Sequence, residues 1–151
     1  MKLNCIVVDD SALQRITVTK LICENQNLQL IGEFSNATDA KNCISTKNVD
    51  LVFLDIEMPV INGFDLLDGL KVKPQIIFIT VKAEYALKAF DYNATDYLHK
   101  PLSKERFNKA VNKAVNLYAL KKDIDDEDEN FIFIKSNLKK LKVYTSKIRW
   151  I

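Results

Sequence analysis

The sequence predicts an α/β domain built as a doubly wound parallel sheet of five strands in the order 2-1-3-4-5, and three observations predict it. Short apolar runs recur along the chain, each followed by a longer polar segment with helical spacing, so strand and helix alternate. Three of these runs, in Asn4–Val8, Leu51–Leu54 and Gln75–Ile79, are almost wholly apolar, as strands covered on both faces must be. Charged and hydroxyl residues stand just past the carboxyl ends of the runs, where doubly wound sheets bind their ligands.

Taken in order, the first strand is Asn4–Val8, followed by a helix over Ala12–Glu24. The second strand, Leu28–Phe34, leads to a helix over Thr38–Thr46, with Asn36 or Thr38 available as its cap. Leu51–Leu54 is the third strand, before a helix over Gly63–Leu70. Gln75–Ile79 is the fourth, before a helix over Glu84–Asn93. Asp96–Leu98 is the fifth, before a helix over Lys104–Lys122 that Ser103 can cap, with Glu105 in its first turn. Five strand–helix units in about 120 residues match the flavodoxin-like arrangement.

The remaining length and the charge pattern suggest a second region. The chain has 151 residues, room for one domain and an extra piece, since domains commonly run to about 100–150 residues. Residues 1–122 carry 16 Lys/Arg and 14 Asp/Glu, residues 123–130 six acids and no base, and residues 131–151 six bases and no acid. This reads as a neutral domain, an acidic linker and the start of a basic, β-prone segment suited to a polyanion, or else a solvated tail. Cys5, Cys23 and Cys43 form an odd set without paired spacing, and His99 is the single histidine, so no zinc or haem cluster is expected. The cysteines read as reduced, buried apolar residues of a cytosolic protein. The N-terminal apolar run is too short and too soon charged for a membrane span.

Reading past the strand ends yields Asp9 and Asp10 after the first, Asp55 after the third, Thr80 after the fourth and Lys100-Pro101 after the fifth. Three carboxylates at one edge repel each other unless a cation sits among them. Magnesium fits, because it takes oxygen ligands, and the carbonyl of Glu57 can add one to Asp9, Asp10 and Asp55. A carboxylate nucleophile there would form an aspartyl phosphate. Thr80 can donate to one phosphoryl oxygen and Lys100 can pair with another. A cis Lys100-Pro101 bond would suit a turn that sends the lysine back to the site.

Val8-Asp9-Asp10, Leu54-Asp55-Ile56-Glu57-Met58-Pro59 with Gly63, Thr80, and Asp96-Tyr97-Leu98-His99-Lys100-Pro101 together resemble the signature of response regulator receiver domains, over about residues 3 to 121. The resemblance implies that Asp55 accepts a phosphoryl group from a sensor histidine kinase, that Asp9 and Asp10 hold Mg2+, and that Thr80 and Lys100 contact the phosphoryl group. It also implies that Thr80 and Tyr97 are switch residues, that the domain supports its own phosphotransfer and autodephosphorylation, and that the helix 4–strand 5–helix 5 face makes a homodimer. Leu87, Phe90, Phe107, Val111 and Val115 are open to core or interface. Val81 stands where receivers usually carry a small residue, so it can narrow access to Asp55, while Lys82 and Glu57 can tune hydrolysis.

Ala83-Glu84-Tyr85-Ala86-Leu87-Lys88-Ala89-Phe90 and Asn93-Ala94-Thr95-Asp96-Tyr97-Leu98 resemble receivers that precede LytTR-type DNA-binding domains. Phe131–Ser136 and Leu141–Trp150 resemble the opening strands of such a domain. The expectation is then that this sequence stops early in it, with DNA binding and transcription control belonging to the intact protein.

Simpler readings stay open. The three aspartates can cap helices or make turns, with Asp10 a candidate cap for the first helix. Thr80, Lys100 and Tyr97 can be ordinary strand-end, surface and core residues, and His99 a surface neighbour. Two rival classes are a haloacid-dehalogenase-like phosphatase, which expects its nucleophile and a spaced acid pair at the first strand, and a phosphate-independent interaction module, which would lack site residues.

Overall fold

The computed structural model describes residues 2–71 and 73–135, with side chains described up to Asp123. It contains β1 (Leu3–Val8), α1 (Ala12–Cys23), β2 (Leu28–Phe34), α2 (Ala37–Thr46), β3 (Leu51–Asp55), α3 (Gly63–Asp68), β4 (Gln75–Thr80), α4 (Ala86–Asp91), β5 (Asp96–His99) and α5 (Lys104–Lys135). The strands form one parallel sheet in the order β2-β1-β3-β4-β5. This is the flavodoxin-like fold the alternation predicts.

Covering both faces of the sheet explains the apolar strands. Ile6 and Val8 of β1, Val52 and Leu54 of β3, and Ile76 and Phe78 of β4 point to one side, where they pack with Ala40 and Ile44 of α2, Phe64 and Leu67 of α3 and Ala89 of α4. On the other side Phe53 stacks on Phe107 of α5 at 5.2 Å, both rings fully buried. Burial of each ring contributes about 1.5–3 kcal/mol. A hydrogen bond from Asn25 to Asn108 ties the end of α1 to α5 on this same side.

Helix starts are set by short polar side chains. Ser11 caps α1, accepting from the Gln14 amide, so Asp10 is not the cap. Asn36 rather than Thr38 caps α2, which therefore begins at Ala37. Asn62 and Asp65 form a reciprocal capping box at α3. Ser103 accepts from the Arg106 amide at the start of α5.

Several boundaries differ from the sequence reading. β3 and β4 include Asp55 and Thr80 as their last residues, so these side chains sit on the strands and not beyond them. The helix expected over Glu84–Asn93 is a 3-10 turn at Ala83–Tyr85 followed by α4, because neither start has a side-chain cap. α3 stops at Asp68, with Gly69 as its cap.

The largest difference is α5, which continues to Lys135 through the expected acidic linker and into the expected β-prone segment. No Gly or Pro follows Pro101 to stop it. Residues 136–151, which hold the rest of that segment, lie outside the described residues. The chain divides into compact units at residues 1–115 and 116–151.

Candidate functional site

Register brings the site together. Val8 of β1 lies opposite Leu54 of β3, so the chain leaves β1 with Asp9 beside Asp55. On the other flank Thr80 of β4 pairs with His99 of β5, and the Lys100 amide donates to the Thr80 carbonyl at 2.8 Å, which places Lys100 across from the acids. The Lys100-Pro101 bond is cis.

Carboxylate oxygens of Asp9, Asp10 and Asp55 lie within 4.8 Å of one another, with Asp9 and Asp55 buried and Asp10 exposed. The Lys100 ammonium is 3.1 Å from Asp9 Oδ2 and 3.9 Å from Asp55 Oδ1. It leans on Asp9 more than on the residue it was expected to serve. Asp9 Oδ1 also accepts the Ser11 amide at 2.9 Å, and Arg15 donates to the Asp9 carbonyl at 2.7 Å.

Burial pushes the Asp55 carboxyl up to about 7, and the charges of Asp9 and, less strongly, Asp10 add to the rise. Lys100 and the Glu57 amide, which donates to Asp55 Oδ1 at 3.3 Å, pull it down without cancelling the rise. A carboxyl so placed favours either a proton or a cation. The oxygen-only donor set, part buried and part open to water through Asp10, suits Mg2+ better than zinc.

The β3–α3 loop can approach the site closely only because of Gly63. A Cβ there would stand 2.8 Å from the Asp55 carbonyl oxygen. Thr80 is fully buried, and its hydroxyl accepts the Lys82 amide at 3.3 Å. Val81 is 55% exposed at the rim. Tyr97 is half-buried and donates its hydroxyl to the Lys82 carbonyl. Lys82 reaches Glu57 at 3.0 Å, and the Tyr85 hydroxyl reaches the same carboxylate at 3.5 Å. An open cleft of about 410 Å3 beside the acids is lined by Ile56, Glu57, Met58, Pro59, Asn62 and Tyr85.

Every residue named from sequence for the site thus stands at this rim, and His99 is an exposed neighbour. Sequence reasoning missed Tyr85 and Arg15. Tyr85 acts on a loop 28 residues away, and Arg15 reaches back six residues to a backbone carbonyl, an acceptor that no side-chain pattern marks. It also treated the cysteines alike, whereas Cys23 is exposed and Cys5, whose burial pushes its thiol up to about 12, is inert. Of the five apolar residues left undivided, Phe107 and Val111 are core, while Leu87 and Phe90 are 80% and 78% exposed. No helix among the described residues is long and apolar enough to cross a membrane.

Comparisons with known proteins agree with this fold. The family described as response regulator receiver domain matches residues 5–112. A response regulatory protein of Vibrio cholerae is 39% identical over 113 residues, 74% of this chain and 48% of that protein. The transcriptional regulatory protein BtsR of Escherichia coli is 35% identical over 111 residues, 72% of this chain and 46% of that one. The chain spans about half the length of such curated relatives. Among solved structures, the response regulatory domain of mrkE from Klebsiella pneumoniae superposes with a TM-score of 0.72 at 29% identity, covering 78% of this chain and 99% of that one.

Proposed function

The chain belongs to the response regulator receiver domain family, and from that premise we propose that Asp55 is the phosphoacceptor, charged by a sensor histidine kinase in a two-component relay. One observation carries the reading: two buried acids and an exposed one converge within 4.8 Å at the sheet edge, with the Lys100 ammonium 3.9 Å from Asp55.

In this reading Asp9, Asp10 and Asp55 with the Glu57 carbonyl hold Mg2+, which when bound offsets their repulsion and the charge of the incoming group. An Asp55 oxygen attacks phosphorus, the P–N bond to the donor histidine breaks, and the imidazole nitrogen keeps the electron pair and takes up a proton. Lys100 moves from Asp9 toward one phosphoryl oxygen, and the Thr80 hydroxyl turns from accepting the Lys82 amide to donating to another. Water attack on phosphorus later breaks the bond to the Asp55 oxygen, releasing inorganic phosphate and restoring the carboxylate, with Val81, Lys82 and Glu57 at the rim governing the water's approach.

Drawing Thr80 toward Asp55 moves the β4–α4 loop and the Tyr97 contact on it. That biases two arrangements of α4, β5 and the start of α5, a face on which Leu87 and Phe90 stand ready for a second copy. We further read residues 1–122 as the receiver, 123–130 as a connection, and 131–151 as the opening of a LytTR-type DNA-binding domain through which the intact protein would control transcription. The name of the Escherichia coli relative supports that direction.

Incubation with Mg2+ and acetyl phosphate, followed by intact mass measurement, tests the core of this. Wild type should gain one phosphoryl group and Asp55→Asn none. A wild type that gains nothing would favour a phosphate-independent interaction module.

A further inference from the structure

We infer that Lys82 is a positioning residue whose ion pair with Glu57 straps the β4–α4 loop to the β3–α3 loop and opposes the switch at Thr80 and Tyr97. The inference rests on the phosphoacceptor reading above. Every polar group of Lys82 is engaged, each by a different part of the site. Its amide donates to Thr80 Oγ1 at 3.3 Å, its carbonyl accepts the Tyr97 hydroxyl, and its ammonium lies 3.0 Å from Glu57 Oε2. Thr80 and Tyr97 therefore both follow wherever the backbone of Lys82 is held.

What holds it is Glu57, and Glu57 is itself fixed. Its amide is bonded to Asp55 Oδ1 and its carboxylate to the Tyr85 hydroxyl, while the Tyr85 ring packs edge-on against Phe64 of α3 at 5.9 Å. For the Thr80 hydroxyl to turn toward an anion on Asp55 it must give up the Lys82 amide, or carry that amide along and stretch the strap. The strap is made with Thr80 Oγ1 held by the Lys82 amide, so it favours the arrangement in which that hydroxyl stays with Lys82 over the one in which it turns to Asp55. Side chains 47% and 36% exposed make a screened pair, so the bias is about two- to five-fold and not a lock.

Protein labelled with fluorotyrosine, with the Tyr97 fluorine line assigned through Tyr97→Phe, reads this directly. The phosphorylated and unphosphorylated wild type mark the two ends of the scale. In unphosphorylated Lys82→Met and Glu57→Gln the line should shift toward the phosphorylated end, by about a two- to five-fold rise in the switched population. The two changes alter rim charge in opposite senses, so a common direction identifies the strap and not the local field. The double variant should move no further than either single one, and Lys82→Arg should return the line to the wild-type position. Opposite shifts, additive shifts or an unmoved line would overturn the inference. If wild type takes up no phosphoryl group, the phosphoacceptor reading fails instead, which separates the two.

Discussion

Burial, with the Asp9 charge beside it, pushes the Asp55 carboxyl up to about 7. A carboxyl whose native pKa lies above its unfolded value binds protons more tightly when folded. Its contribution is complete below the unfolded value of 3.8 and is lost as pH rises through about 7. In chelator, wild type should therefore lose stability relative to Asp55→Asn across that window, by an amount on the order of a few kcal/mol. Thermal midpoints of the two proteins compared across the window check this, and a constant difference between them would contradict it. Mg2+ should stabilise wild type, by about 1.4 kcal/mol at ten times its Kd, and Asp55→Asn by less. A second tension sits at Val60, a fully exposed β-branched residue at φ 70, where the Ile61 amide bonds back to the Pro59 carbonyl at 2.8 Å. Such a tight turn is strained for anything but glycine. Val60→Gly should raise the unfolding free energy by about 1 kcal/mol, seen as a higher urea midpoint at unchanged slope. Nothing in the sequence marks Val60, since a valine after proline suggests extended chain. The place of Asp55 was legible because it closes an apolar run at the same sheet edge as Asp9 and Asp10, a grouping that capping and turn formation do not need.

Among the elements, β1, β3 and β4 were legible from composition alone, because a strand covered on both faces has little freedom to be polar, whereas β2 and β5 carry polar residues and needed the alternation around them. The helices were legible in number but less so in extent. α4 falls short because its expected start lacks a cap, and α5 overruns Lys122 because nothing breaks it. An acid-rich stretch near a helix C-terminus opposes the helix dipole, which is why the sequence favours a stop there. What periodicity could not divide was which apolar residues of α4 and α5 face inward, a matter of tertiary packing. The division has consequences that mutation can separate. Phe107→Ala removes a fully buried ring stacked on Phe53 and should cost about 3–5 kcal/mol in urea unfolding. Leu87→Glu changes an exposed side chain on α4 and should cost under about 0.5 kcal/mol. Yet Leu87→Glu should abolish phosphorylation-dependent dimers in sedimentation while leaving phosphoryl uptake on Asp55 intact. Dimers persisting in that variant would move the interface off α4.

At the level of the whole molecule, the strand order makes the site possible. With β1 and β3 adjacent and β4 and β5 following, the carboxyl ends that carry Asp9, Asp55, Thr80 and Lys100 become neighbours despite their separation in sequence. That grouping could be read in advance because one topological rule places all these ends at one rim. The contacts radiating from Lys82 could not, since two of them use backbone groups that every residue possesses. The same architecture shows where the packed core ends along α5. α5 contributes Phe107, Ala110, Val111 and Ala114 to the core, and the first compact unit ends at Val115. A chain of residues 1–122 keeps all of these and every site residue, and adds about two further turns of α5 as a margin against fraying. In urea it should keep the unfolding free energy of the longer chain to within about 1 kcal/mol and take up one phosphoryl group at the same rate. A loss beyond about 3 kcal/mol, or a slower uptake at equal Mg2+, would mean that the receiver does not end near Lys122 and that the later part of α5 belongs to it.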